Sequence, residues 1–187
     1  MFLDYYIYIM EITKSRIVIV DKNDKIIGHK DRGSLKKEDI YRVSILWITN
    51  SLGEILLAKR HHTKIHNPGK WGPSVAGTVE EGETYKENII KEAEEELALK
   101  NIKPEFGQKT KTDNEYHHFN QLYILNIDKE IDEFKIQEDE VEEIKWFSAR
   151  ELSKQLQEYP EKFLPKMKKY LDILLLGNKM ETSNKPA

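Results

Sequence analysis

Short runs of apolar residues, bounded by polar turns, recur along the chain and predict β-strands. Two hairpins are predicted, the first formed by residues 16–21 and 25–29 and the second by residues 41–49 and 54–60. Four further strands are predicted at residues 74–79, 103–111, 117–127 and 140–147. In the last strand the alternation predicts that Val141, Ile144 and either Trp146 or Phe147 are buried. The polar loop between residues 61 and 74 is rich in Gly and Pro, which favours an irregular connection.

Residues 84–99 change to a helical pattern. Thr84 can cap this helix, and Glu87, three residues later, completes a capping box. At about 100° per residue the apolar side chains share one arc, which contains Ile89, Ile90, Ala93 and Leu97. Three carboxylates share the neighbouring arc, those of Glu92, Glu95 and Glu96. The pattern therefore predicts a helix that packs one stripe on the sheet and directs the adjoining stripe at a site.

Two later segments also have helical patterns. Ser148 can N-cap a short helix over residues 148–156, and residues 160–176 form an amphipathic helix.

The length of 187 residues fits one domain, at residues 1–176, with residues 177–187 as a disordered tail. Residues 1–12 are apolar and aromatic, so they add an edge strand to the sheet, or residues 1–9 precede a true start at Met10. An apolar edge there would also offer a surface for a homodimer.

Charge and composition exclude several classes of function. The net charge of −3 does not indicate a protein that binds nucleic acid in bulk. No cysteine is present, so thiol catalysis, zinc–thiolate sites and disulfides are excluded. No apolar run is long enough to span a membrane, and the N-terminal residues lack the basic region and cleavage site of a signal peptide. We therefore expect a cytoplasmic protein with no membrane partner.

The three carboxylates on one helical face are candidates for chemistry. Like charges at spacings of three and four repel each other, and hard oxygen ligands suit Mg²⁺, with Mn²⁺ as an alternative. The competing interpretation is a solvated acidic helix without a ligand. Gly77 and Glu83 argue against it, because both precede the carboxylates at defined spacings.

These residues together resemble the Nudix box, whose pattern is G-x5-E-x7-R-E-U-x-E-E-x-G-U with U a bulky aliphatic residue. The matching residues are Gly77, Glu83, Glu92, Glu95, Glu96 and Leu99, with Ala93 as a small residue at the first U position. Lys91 replaces the arginine of the pattern and Ala98 replaces its glycine. The resemblance implies a Nudix-type α/β/α sandwich with a mixed β-sheet.

The same resemblance implies a Mg²⁺-dependent hydrolase that cleaves a phosphoanhydride bond in a nucleoside diphosphate derivative or another organic diphosphate. Glu92 and Glu96 would be the main metal ligands, Glu95 would bind directly or through water, and a backbone carbonyl near Gly77 would add a ligand. Glu140 is our first choice for the carboxylate that positions or deprotonates the water.

The two departures from the pattern have physical consequences. Lys91 can reach Glu95 one turn later, but an ammonium group cannot form the two parallel hydrogen bonds of an arginine. Ala98 is expected to extend the helix where the family's glycine would end it.

Residues 20–28 and 41–77 further resemble the branch that contains type I isopentenyl diphosphate isomerase and its hydrolase-like relatives. Arg60 and Lys64 would contact phosphates there, or they are solvated loop charges. Trp71 would stack on a substrate or cover its pocket, or it lies at the edge of the core.

The isomerase needs a cysteine in the strand before the box, where this chain has residues 74–76, Ser-Val-Ala. Hydrolysis is therefore the expected reaction. An isomerase-like enzyme and a non-catalytic nucleotide-binding module are the alternatives. A zinc site built from the loop histidines, such as His61 and His62, is a further interpretation beside that of surface side chains.

Overall fold

Nine strands and three α-helices follow one another in the part of the chain that the computed structural model describes, residues 15–113 and 116–182, with side chains described through residue 175. The strands are β1 (Arg16–Val20), β2 (Ile26–Asp31), β3 (Ile40–Thr49), β4 (Ile55–Arg60), β5 (Trp71–Gly72), β6 (Val75–Thr78), β7 (Glu105–Asp113), β8 (His117–Asn126) and β9 (Val141–Phe147). The helices are α1 (Tyr85–Leu97), α2 (Ala149–Glu158) and α3 (Met167–Thr182). The predicted edge strand at residues 1–12 lies outside the described residues.

Strand β3 organises the sheet. One of its edges pairs with β8 in parallel along the full length, from Ile40↔His117 to Thr49↔Asn126. Its other edge pairs in turn with β1, β6 and β4, all antiparallel. The sheet is therefore mixed, as predicted, and β7 extends it antiparallel to β8.

Strands β4 and β6 diverge from the same edge of β3. Strand β4 pairs with β3 at Ile48↔Leu56 and Thr49↔Ile55 and then lies between β5 and β9. Strand β6 takes its place beside the middle of β3. The second predicted hairpin is thus closed at its turn and splayed at its open end.

Side chains alternate between two cores, one on each face of the sheet. Leu46 and Ile48 of β3 pack with Ile89 and Ala93 of α1. Trp47 of β3 lies on the opposite face, where the second core also includes Leu152 of α2 and the buried residues of α3. Helices cover both faces, and the predicted α/β/α sandwich is confirmed.

The C-terminal helix differs from its prediction at both ends. Residues Pro160–Lys162 form a 3₁₀ turn, and α3 begins at Met167 and not at residue 160. It continues to Thr182, six residues into the segment predicted as a tail, while residues 183–187 lie outside the described part of the chain. None of the helices in the described residues is both long and apolar enough to cross a membrane.

Candidate active site

Helix α1 begins with the predicted capping box. The Glu87 amide donates to Thr84 Oγ1 at 3.2 Å, and the Thr84 amide donates to Glu87 Oε2 at 2.8 Å. Both bonds satisfy backbone donors that a helix start leaves without partners. The predicted apolar stripe is buried against the sheet, with Ile90 partly buried. This fixes the direction in which the neighbouring carboxylates point.

The end of α1 differs from the prediction for Ala98. That residue adopts the left-handed conformation, with φ of 52° and ψ of 31°, and its amide donates to the Ala93 carbonyl. The Leu99 amide reaches the same carbonyl at 3.1 Å, and the Leu99 side chain is buried in the first core. The expectation that Ala98 extends the helix is therefore wrong: burial of Leu99 turns the chain, and alanine accepts the strain that glycine would avoid.

Gly77 on β6 faces the Glu92 carboxylate at close range. It pairs with Ser44 of β3, and a Cβ atom added to it would overlap the Cγ, Cδ and Oε1 atoms of Glu92. A glycine is needed here because a helix side chain approaches the backbone of the strand. Two of the predicted metal-binding positions, Gly77 and Glu92, are thus in contact.

Asn88 connects the elements around Glu92 and was missed by the sequence analysis. It is fully buried, accepts a hydrogen bond from Ser44 Oγ, and donates through Nδ2 to Glu92 Oε1 at 3.2 Å. The same Nδ2 donates to Glu83 Oε2 at 2.9 Å and to the Thr78 carbonyl at 3.2 Å. The available signal was its spacing, because Asn88 lies one helical turn before Glu92.

Lys91 binds two carboxylates before the helix and not Glu95. Its Nζ lies 2.7 Å from Glu83 Oε1 and 3.1 Å from Glu80 Oε2, so the predicted partner was wrong. These contacts raise the pKa of Lys91 against the effect of burial. The pKa of Glu83 is lowered by the bonds from Lys91, the Glu80 amide and Asn88, although burial opposes them. Glu83 therefore anchors the loop as an ion-paired carboxylate.

The helix carboxylates differ in their surroundings. Burial, and after it the charge of Glu95, raises the pKa of Glu92 to about 7, while the Asn88 hydrogen bond acts in the opposite direction. Burial, followed by the charges of Glu92 and Glu140, raises the pKa of Glu96 well above its ordinary value. Glu95 is exposed. The two inner carboxylates are thus poor anions when no cation is nearby.

A cleft of about 370 Å³, open to solvent, lies between the diverging strands β4 and β6. Its lining brings Arg60 at the end of β4 together with Glu96 of α1 and Glu140 just before β9. The charges of Arg60 and Lys64 act on Glu96 and favour its ionised form. Three residues that the sequence analysis selected from separate segments therefore meet here.

The remaining predicted residues lie around this cleft. Lys64 forms an ion pair with Glu140, which the sequence analysis did not anticipate. Trp71 packs edge to face on Phe147, with ring centroids 5.3 Å apart, and belongs to the second core. That position agrees with the core-edge interpretation of Trp71. Leu164 also lines the cleft, and no signal in the sequence indicated it. Its amide donates to the carbonyl of Trp71 in β5, a contact between segments that are far apart in the chain.

The donor chemistry of the site fits a divalent cation. Glu92 and Glu96 supply hard oxygen donors. A bound cation would offset the repulsion between their charges and the free-energy cost of burying those charges. In the part of the chain that the structure describes, no three His, Cys, Asp or Glu side chains form a group that could hold a metal ion. The rings of His61 and His62, which were candidates for a zinc site, are tilted against each other with centroids 4.1 Å apart.

Comparisons with known proteins agree with this fold. Residues 40–167 match the family model described as the NUDIX domain. An uncharacterized Nudix hydrolase of Yersinia pestis is 26% identical over 162 residues, which cover 86% of this chain and 85% of the relative. The uncharacterized Nudix hydrolase YfcD of Escherichia coli K12 is 27% identical over 143 residues, which cover 75% of this chain and 78% of the relative.

Solved structures show the same fold. The DR0079 protein of Deinococcus radiodurans has a TM-score of 0.73 at 22% identity, over 84% of this chain and 97% of that one. A MutT protein of Methanosarcina mazei Go1 has a TM-score of 0.63 at 22% identity, over 78% of this chain and 99% of that one. The match of the family model, over more than half of the residues, includes the whole carboxylate helix and the cleft strands. The chain therefore belongs to the Nudix family, and it is a Nudix hydrolase.

Proposed function

We propose that this hydrolase cleaves a phosphoanhydride bond in a nucleoside diphosphate derivative or another organic diphosphate, with Mg²⁺ as its cofactor. The observation that carries the proposal is the meeting of Glu96, Glu140 and Arg60 in one cleft, beside Glu92 and Gly77. Carboxylates and a guanidinium group in one cleft suit a substrate that carries both a cation and phosphate groups.

Glu92 and Glu96 are the residues that would hold the cation, with the exposed Glu95 as a ligand at the rim and the Gly77 backbone beside them. When bound, Mg²⁺ would neutralise charge on the phosphoryl oxygens and lower the pKa of water at the site. The affinity for the cation is expected to depend on ionisation of Glu92, because protons and metal compete for the same oxygens.

Glu140 is the proposed acceptor of the proton from the attacking water. In hydrolysis the water oxygen forms a bond to phosphorus, the bridging P–O bond breaks, and one product leaves with the bridging oxygen. Glu140 lines the same cleft as Glu96, and it forms an ion pair with Lys64. A carboxylate at that position can take the proton as the new P–O bond forms.

Arg60 and Lys64 are the proposed phosphate contacts. Arg60 Nε donates to the His66 carbonyl at 3.0 Å, which holds the guanidinium group at the cleft and leaves its other N–H donors for a ligand. Lys64 would have to exchange Glu140 for a phosphate, so its contribution depends on substrate binding. Trp71 packs against the second core, next to Gly72 of the cleft lining.

Isomerisation of a prenyl diphosphate is less well supported than hydrolysis. Ser74, in the segment where the isomerase carries its cysteine, is fully buried. Its hydroxyl donates to the Leu56 carbonyl at 2.7 Å and accepts from the Ile48 amide at 3.0 Å. A side chain so engaged cannot protonate an alkene.

The test is a panel of nucleoside diphosphate derivatives, dinucleotides, coenzyme A and prenyl diphosphates, assayed with Mg²⁺ and with identification of the products. Glu96→Gln should lower kcat/KM at least about 100-fold, because the variant loses a charged ligand. Glu94→Gln is the matched control: Glu94 is an exposed residue of the same helix, paired with Lys100 at 3.3 Å, and its loss should leave activity within about twofold.

Three results would argue against the proposal. No turnover by the wild type on the whole panel would favour a non-catalytic nucleotide-binding module. Conversion of a prenyl diphosphate without phosphate release would favour the isomerase. Equal losses in the two variants would mean that the carboxylate helix has no specific role.

A further inference from the structure

The Asn88 amide lies where four parts of the molecule meet. It is on α1, it contacts Ser44 on β3 and the Thr78 carbonyl of β6, and it reaches Glu83 in the loop before the helix. A fully buried amide on the inner side of a helix is unusual, because an apolar residue would pack there without polar groups to satisfy. Its hydrogen bonds therefore indicate a specific role.

The hydrogen bonds define which way the amide faces. The Thr78 carbonyl and the carboxylates of Glu83 and Glu92 surround Nδ2. A carbonyl and an ionised carboxylate can accept hydrogen bonds but cannot donate them. If the amide were flipped, its oxygen would face these three acceptor groups and could not form a hydrogen bond with them. The Ser44 hydroxyl donates to Oδ1, the other polar atom of the amide. The NH₂ group is thus directed at Glu83 and Glu92 together.

The two carboxylates that accept hydrogen bonds from this NH₂ group differ in the other groups that balance their negative charge. Glu83 also has the ammonium group of Lys91 at 2.7 Å. Among the described residues, the Asn88 amide donates the hydrogen bond to Glu92, and the charges of Lys91 and Arg32 also favour the ionised form of this carboxylate. The bond engages Oε1, the same oxygen that approaches Gly77. A carboxylate has two oxygens, so a fixed Oε1 leaves Oε2 as the atom that can bind a cation in a defined direction.

We propose that Asn88 is a positioning residue that fixes the Glu92 carboxylate for the divalent cation, an assignment that rests on the proposed function. Asn88 acts through Glu92 and does not touch the substrate. Donors in this position typically change metal affinity 10- to 100-fold, since they set the orientation of a ligand. Ser44 binds Oδ1 of Asn88 and not its NH₂ group, and it has no hydrogen bond to Glu92 among the described residues.

The experiment measures binding of Mn²⁺ to the metal-free protein by the electron paramagnetic resonance signal of free Mn²⁺, at a temperature well below the Tm of each variant. Asn88→Ala should weaken Mn²⁺ binding at least about tenfold and lower kcat, with KM changed much less. Ser44→Ala is the matched control, since it removes a buried hydrogen bond of the same network while the Asn88 NH₂ group remains. It should bind Mn²⁺ within about threefold of the wild type.

A double variant covers the case in which Asn88→Ala does not fold. Ser44→Ala/Asn88→Leu replaces both partners of one buried hydrogen bond by apolar side chains, which costs less than leaving one partner alone. It should also bind Mn²⁺ at least about tenfold more weakly. Mn²⁺ binding at wild-type strength by either folded Asn88 variant would overturn the inference, as would an equal loss in Ser44→Ala. Failure of the wild type to bind Mn²⁺ or Mg²⁺ would instead overturn the proposed function itself.

Discussion

Lys91 and Glu83 form an ion pair of 2.7 Å that joins helix α1 to the loop before it. Lys91 also reaches Glu80, so a single ammonium group compensates two carboxylates where the family pattern has arginine. The ion pair keeps Glu83 beside the Asn88 amide and thereby stabilises the base of the carboxylate stripe.

Lys91→Met is therefore expected to lower the free energy of unfolding by roughly 1–2 kcal/mol, because Glu80 and Glu83 lose their shared cation while most of the side-chain volume remains. Lys91→Arg should stay within about 0.5 kcal/mol of the wild type. Urea unfolding at neutral pH measures both. Lys100→Met, which removes the exposed pair with Glu94, serves as the control and should cost less than about 0.5 kcal/mol. Equal losses in the two Met variants would contradict the structural role of Lys91.

Ala98→Gly should stabilise the protein by about 1 kcal/mol. The residue has φ of 52°, a conformation that strains an alanine and that glycine adopts without a steric cost. Ala98→Val should destabilise it, since a β-branched side chain tolerates this conformation worse. Thermal unfolding of the three proteins checks the order. A lower Tm for Ala98→Gly than for the wild type would mean that α1 ends differently in solution.

Gly77→Ala should impair the site far more than the fold. The added methyl group would displace the Glu92 carboxylate, which is the end of a flexible side chain, and a shift of about 1 Å at a reacting centre can cost about 100-fold in rate. We expect a comparable loss in kcat/KM, together with weaker Mn²⁺ binding. Gly28→Ala is the control, because a Cβ atom there meets nothing within 4 Å. Similar Mn²⁺ affinities of the two variants would show that Glu92 does not need this approach.

The stability of the protein should depend on His118 at mildly acidic pH. His118 stacks on Tyr41, with ring centroids 5.3 Å apart, and burial lowers its pKa to about 4. Between about pH 6.5 and 4 the unfolded chain binds a proton that the folded protein does not, so stability falls as the pH falls. The loss over this interval is about 3 kcal/mol by linkage.

The raised pKa values of Glu92 and Glu96 make the protein more stable as the pH falls, which opposes the effect of His118. The His118 contribution is therefore measured as the difference between the wild type and a His118 variant. Urea unfolding from pH 4 to 7 should give a flatter profile for His118→Gln than for the wild type. His62→Gln, at a side chain that is 70% exposed, should leave the profile unchanged. Parallel profiles for wild type and His118→Gln would refute the assignment.

Much of the fold follows from local pattern. The Thr84 capping box, the apolar stripe of α1 and the strand that became β8 are all encoded within short windows, and each is present. The meeting of Arg60, Glu96 and Glu140 was anticipated through the family resemblance, since no periodicity relates three residues on separate segments.

The incorrect predictions concern residues for which the local sequence allows more than one partner or conformation. Lys91 can reach a carboxylate one turn later or those in the preceding loop, and only the three-dimensional position of the loop decides between them. Ala98 has a high helix propensity, but burial of Leu99 outweighs it. Asn88 belongs to no motif, and its partners Ser44 and Thr78 lie on other strands, so its contacts could not be predicted from local pattern.

The parallel pairing of β3 with β8 also bears on how the molecule is made. Each position of β3 pairs with one 77 residues later, from Ile40↔His117 onward. During synthesis, the central strand therefore leaves the ribosome long before its partner and presents an unpaired edge in the meantime. The helix that carries the carboxylates is translated within this interval, so the sheet against which it packs can be completed only after residues 117–126 have emerged.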